Sequence, residues 1–282
     1  MMPPKVQQFR FVRLPNDLAL DAAGVAVIWR LALAHGLGLK ASAASLWVLG
    51  MSVWLVYLGD RWLDVRGKRP EELPTQRHWL IAKWRWQFLG LWLIVLVLDV
   101  WVALKGLTTA QFQAGLVVLL LSIAYTIGIQ RHVKVRRTKE LQVALIFAIG
   151  VGAFFAGEHL SAEVWLWLML KLVLFGMACF TNCVLMARWE MDADLALGRR
   201  SLPLAMADRA VRLRDWAVVT TVLGLVVYFF STPILSHSAI TLAVYGVSLL
   251  AIDRWEWPRN PENRRFWADA WLFALGLLAW LV

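Results

Sequence analysis

Long apolar runs separated by short charged loops make up most of the chain. A membrane-spanning helix needs about 20 mostly apolar residues, and nine runs approach that length: Leu18–His35, Ala41–Gly59, Phe88–Leu104, Ala110–Ile129, Leu141–His159, Val164–Ala187, Trp216–Ser231, Pro233–Ile252 and Phe266–Val282. The first contains Arg30, whose charge is expensive in hydrocarbon unless it meets a partner or a wet cavity, and the last is only just long enough. The pattern predicts an all-α polytopic membrane protein with nine transmembrane helices. Residues 1–16 read as a cytosolic N-terminal arm, and residues 17–282 as one transmembrane helical domain. The arm carries Pro3, Pro4, Lys5, Arg10 and Arg13 and lacks the charged, apolar and small-residue order of a cleavable signal.

Composition agrees with this pattern. Of 282 residues 60% are apolar and 17% charged, which is too much apolar surface for one soluble core to hide. The net charge of +10 is not a nucleic-acid signature, because the cations alternate with the spans. Three lie in the arm, seven after the second span, five after the fourth, six after the sixth and four after the eighth, so 25 of the 29 Lys and Arg share one face. By the positive-inside rule that face is cytoplasmic, with the N-terminus inside and the C-terminus outside.

The second and sixth spans both run from outside to inside, and both finish in carboxylates followed by a basic loop. These are Asp60-Arg61-Trp62-Leu63-Asp64 and Glu190-Met191-Asp192-Ala193-Asp194. Their equivalent positions suggest two four-helix halves plus a ninth helix, a positional rather than a sequence repeat. If the helices continue, Asp60 and Asp64 lie one turn apart on one face, as do Glu190 and Asp194. A bound cation offsets the repulsion within such a pair. Magnesium takes hard oxygen ligands, keeps several waters and bridges carboxylates to substrate phosphates. The competing reading is ordinary ion pairing at the membrane edge, Asp60 with Arg61 or Glu190 with Arg188.

The residues from Glu190 to Ser201, in which the acidic positions are followed by Gly198 and Ser201, together with Asp60-Arg61-x-x-Asp64, resemble the UbiA superfamily of intramembrane prenyltransferases. That family has nine transmembrane helices, a first motif NDxxDxxxD after helix 2 and a second DxxxD after helix 6. Here Val56 and Tyr57 stand where the first motif has Asn and Asp, and Glu190 replaces an Asp. The resemblance implies Mg2+ held by Asp60, Asp64, Glu190, Asp192 and Asp194, with Asp60, Asp64, Glu190 and Asp194 as the catalytic carboxylates. It implies an isoprenyl diphosphate gripped by basic groups, for which Arg61, Arg77, His78, Lys134, Lys139 and Arg200 are the donors, beside Arg136, Arg137 and Arg199. Contact with anionic lipids accounts for such cations equally well one at a time.

The organic half of the reaction needs a dry cavity whose aromatic faces tolerate a carbocation. Trp54, Tyr57, Trp62, Tyr125 and Trp189 are placed near it by topology, and Tyr57 is singled out because it stands at a ligand position. Five scattered histidines offer no zinc-like spacing, and Cys179 and Cys183 read as small core residues. Asp269 is an intramembrane carboxylate, by default a functional candidate or else a partner for Arg265. Three functions follow: transfer of the prenyl group to a small lipophilic acceptor, acceptor-free cyclisation as in a membrane terpene synthase, or a non-enzymatic lipid carrier. Paired Gly/Pro-broken helices would favour the carrier, and none is found.

Overall fold

The computed structural model describes residues 11–131, 138–196, 201–206, 212–230 and 233–282. Among them every regular element is helical. The described helices of 15 to 28 residues are α1 (Leu20–His35), α2 (Ala43–Asp64), α3 (Arg85–Gly106), α4 (Thr109–Arg131), α5 (Lys139–Ala153), α6 (Ala162–Trp189), α7 (Asp215–Phe230), α8 (Pro233–Arg254) and α9 (Pro261–Leu281). Short helices at Leu14–Asp17, Gln76–Lys83 and Met191–Ala196 lie at the end where the charged loops gather.

Local chemistry sets the ends. Ser42 caps α2 by accepting from the Ser45 N–H at 3.1 Å, and Ser161 caps α6 by accepting from Val164 at 3.3 Å. Asn260 accepts from Glu262 N–H at 2.8 Å with Pro261 at the first helical position, so α9 starts well before the predicted Phe266. α5 stops at Ala153 rather than His159, because the chain turns through Gly157, whose φ is +84°.

Among the described residues five helical segments are long and apolar enough to cross a membrane: Ala43–Asp64, Arg85–Gly106, Thr109–Gly128, Ala162–Trp189 and Arg212–Phe230. α3 shows how the lipid acts as solvent. Leu93, Ile94, Val97, Trp101 and Leu104 point outward, while its buried residue is Asp99, which accepts from the Ser52 hydroxyl at 2.7 Å. A soluble helix would be arranged the other way round. The core is aromatic: Trp29 of α1 packs against Phe175 of α6 with ring centroids 5.1 Å apart, and its indole N–H donates to the Leu272 carbonyl of α9 at 3.0 Å. Arg30 does find partners in the bundle, donating to the Phe154 carbonyl at 3.0 Å with its guanidinium 3.8 Å from the Phe155 ring centroid.

Small residues let α7 and α8 approach closely. A Cβ at Gly246 would fall 2.8 Å from the Ala217 carbonyl oxygen, and one at Gly224 would fall 2.9 Å from the Ala243 backbone nitrogen. Gly246→Val should therefore destabilise the protein by about 1–3 kcal/mol, read as a lower thermal midpoint in detergent. Gly90→Ala, where nothing lies within 4 Å, is the control that should leave the midpoint unchanged or slightly raised.

Candidate active site

α2 remains helical through Asp64, so Asp60 and Asp64 do sit one turn apart at its C-terminal end. The second motif is built differently. α6 ends at Trp189, Glu190 follows as its cap, and Asp192 and Asp194 ride on the separate helix Met191–Ala196. A helical turn still joins the two pieces, since the Asp194 N–H donates to the Glu190 carbonyl at 2.9 Å. Asp192 is exposed, whereas Glu190 and Asp194 are buried.

The helix Gln76–Lys83, in the loop after α2, brings the two motifs together. Its Arg77 grips Glu190 in a fork, with guanidinium nitrogens at 3.2 and 2.8 Å from the two carboxylate oxygens. The next residue, His78, is buried with Nε2 4.0 Å from Asp64 and Nδ1 2.5 Å from the Thr75 hydroxyl. Asp64 and Glu190 thus flank one dipeptide. Lys139, at the start of α5, lies 3.5 Å from Asp194.

Several candidates have other employment. Arg61 is buried and donates to the backbone carbonyls of Asn16 and Asp17 at 2.7 and 2.5 Å, so it fastens the N-terminal segment. Glu190 is held by Arg265 of α9 at 3.5 Å as well as by Arg77, a double charge partnership. Arg188 pairs with Asp253 rather than with Glu190, at 2.6 Å. Asp269 does not pair with Arg265: it accepts from the amides of Asn16 and Asn182. Lys134 and Arg200, with Arg136, Arg137 and Arg199, lie outside the described residues. Among the described residues no cluster of three or more His, Cys, Asp or Glu stands ready to enclose a metal. Tyr57 is half-buried, its ring edge-on to Phe147 at 6.3 Å.

The predicted arm is drawn into the same region from residue 11 onward. Arg13, Asn16 and Asp17 are buried; Arg13 bonds Glu262 and donates to Asn263 at 2.7 Å, and Asp17 accepts from Gln76 at 2.8 Å. These polar groups surround a cavity of about 10 Å3 beside Arg77, Glu190 and Arg265, room for about one water. Burial works against the Arg77 charge, but the Glu190 carboxylate outweighs it and holds the guanidinium pKa above its ordinary value. Burial, then the nearby Glu262 carboxylate, pushes Asp17 up to about 6.

No protein-family model matches the sequence, and no curated protein matches it. Solved structures do. A UbiA homologue from Archaeoglobus fulgidus bound to DMAPP and Mg2+ superposes with a TM-score of 0.61 over 94% of this chain and 98% of its own, at 14% identity. The same homologue bound to GPP and Mg2+ gives 0.57 at 16% identity, covering 94% and 99%. The apo UbiA homologue from Aeropyrum pernix K1 gives 0.59 at 12% identity, also over 94% and 99%. The chain has the UbiA fold. With its five apolar spans, it is an integral membrane protein.

The raised Asp17 pKa predicts a pH dependence with a definite sign. The folded state binds this proton more tightly than the unfolded one, so the protein loses stability as pH rises from about 4 to about 6 and the full penalty applies above that. Asp17→Asn should therefore raise the thermal midpoint at pH 7 and leave it unchanged at pH values below 4. A difference that does not vary with pH would show that the carboxyl is not perturbed in this way.

Proposed function

We propose that the protein is a Mg2+-dependent intramembrane enzyme that binds an isoprenyl diphosphate and transfers the prenyl group to a small lipophilic acceptor. The observation that carries this reading is the docking of Arg77 and His78 between the ends of α2 and α6, in a fold whose A. fulgidus representative is bound to a prenyl diphosphate and Mg2+. All nine long helices are taken to cross the bilayer, with the N-terminus and the carboxylates on the cytoplasmic side, as the cation alternation suggests.

The donor set suits a hard cation. Asp60 and Asp64 lie on successive turns of α2, and Asp194 on the short helix that follows α6 would add a third carboxylate; waters would complete a magnesium shell with so few carboxylates. Bound there, Mg2+ would neutralise charge on the departing diphosphate. Lys139 beside Asp194 and Arg77 beside Glu190 supply further positive charge where that negative charge develops. Val56 and Tyr57 add no ligand, and Tyr57, with Phe147 behind it, presents an aromatic wall to the prenyl chain.

The deciding experiment incubates purified protein with Mg2+ and a panel of prenyl diphosphates, with and without candidate aromatic and isoprenoid acceptors, and follows diphosphate release. Release that EDTA abolishes is expected, falling by at least about 100-fold in Asp64→Ala and Asp194→Ala while the thermal midpoint is kept. Release untouched by EDTA would refute the metal mechanism, and a hydrocarbon product formed without acceptor would make the protein a cyclase instead. Tyr57→Phe keeps the ring and should turn over almost normally. Val56→Asn combined with Tyr57→Asp should lower the Mg2+ concentration needed for half-maximal release.

A further inference from the structure

Deeper in the bundle than the motif carboxylates, α1, α6 and α9 surround a second set of polar groups. Asp269 of α9 accepts from the Asn182 amide of α6 at 2.9 Å and from the Asn16 amide at 2.8 Å. The same Asn16 nitrogen donates to Asp21 at the start of α1, so one amide bridges the Asp21 and Asp269 carboxyl groups. Two carboxylates held on one amide nitrogen repel each other, and taking up a proton relieves that repulsion. Arg61, the nearest cation, is bonded to backbone carbonyls.

The surroundings point to a ligand. Asn182 is 7% exposed, and its side-chain oxygen has no hydrogen-bond partner among the described residues. Tyr245 of α8, within electrostatic reach of Asp269, is fully buried with its hydroxyl equally unpartnered. Buried polar atoms are normally satisfied, and two unmet ones beside a carboxyl pair mark a place where another polar or cationic group belongs. Tyr57, on the wall assigned above to the prenyl chain, is also within reach of Asp269. Asp269 keeps part of its surface accessible despite the helices around it.

We propose that the Asp21–Asp269 pair is the proton acceptor that ends the carbocation reaction. This rests on the reading of the protein as a prenyl-diphosphate enzyme. Ionisation breaks the carbon–oxygen bond and leaves its electron pair on diphosphate. The cation is then attacked by a π bond, of the acceptor or of the chain itself, and a new carbon–carbon bond forms. A C–H bond next to the resulting cationic carbon breaks, its electrons become a C=C bond, and the proton goes to a carboxylate oxygen of Asp269. The pair returns this proton to water before the next turnover. The same acceptor serves transfer and cyclisation, because both end in proton loss.

The test uses two probes on the purified protein: a prenyl tertiary amine, whose protonated nitrogen mimics the cation, given with inorganic diphosphate and Mg2+, and a prenyl thiodiphosphate, which does not ionise readily. Asp269→Asn should weaken amine binding by at least about tenfold and change thiodiphosphate binding by less than about twofold. In turnover it should still release diphosphate but yield the water-quenched prenyl alcohol in place of the proton-loss product. Asp269→Glu should restore that product. Unchanged amine affinity and products in Asp269→Asn, or parallel loss of both probes in a folded variant, overturns the proposal. If Asp269→Asn does not fold, Asp21→Asn decides: it leaves a carboxylate at Asp269 and must keep both amine binding and the proton-loss product, and loss of either overturns the proposal. Wild-type protein that releases no diphosphate refutes the enzymatic reading itself, a result distinguishable from all of these.

Discussion

The end of the bundle that carries the two acidic motifs is organised by the ion cluster of Arg77, Glu190 and Arg265. A forked guanidinium bond on a buried carboxylate is short, directional and hard to rearrange, and removing one partner leaves the other charge uncompensated. Here it ties three pieces distant in sequence: the loop after α2, the end of α6 and the start of α9. His78 is placed against Asp64 as a consequence, because it follows Arg77 on the same short helix. The N-terminal segment closes around the same cluster through Arg13, Asn16 and Asp17. Glu190 thereby acts as the counter-ion of two arginines.

The helices were legible in the sequence because the bilayer imposes a length and a polarity that few other contexts demand. Each predicted run overlaps a long helix, and the differences lie at the ends. Asn260 and Pro261 lengthen α9, and Gly157 shortens the run ending at His159, both through short-range capping and turn chemistry that a hydropathy pattern does not weigh. The outward apolar face of α3 follows the same logic, with lipid in place of a core.

The site was legible in part. The carboxylates at the ends of α2 and α6 could be found by spacing, and Arg77 and His78 by their place in the adjoining loop. Their partners could not. That Arg61 turns to backbone carbonyls, that Arg188 chooses Asp253 and that Asp269 is met by Asn16 and Asn182 are results of tertiary packing between residues up to 253 positions apart. Asn182 and Asp21 carried a weak signal, as polar residues in apolar surroundings; Arg265 was named only as a partner for Asp269, and its bond to Glu190 has no signature in the sequence.

Asp99 has a consequence for how the chain is made. Alone in a bilayer, a central carboxylate costs roughly 2.5–3.5 kcal/mol on translocon scales, which weakens the case for α3 entering lipid unaided. The Ser52 hydroxyl that meets it belongs to α2, the helix synthesised just before. α3 is therefore better delivered to the membrane against its predecessor than by itself, and the two helices leave the insertion machinery most favourably as a hairpin. Order of synthesis and order of assembly coincide at this point, and the hydrogen bond that couples them is already available before most of the bundle has been translated.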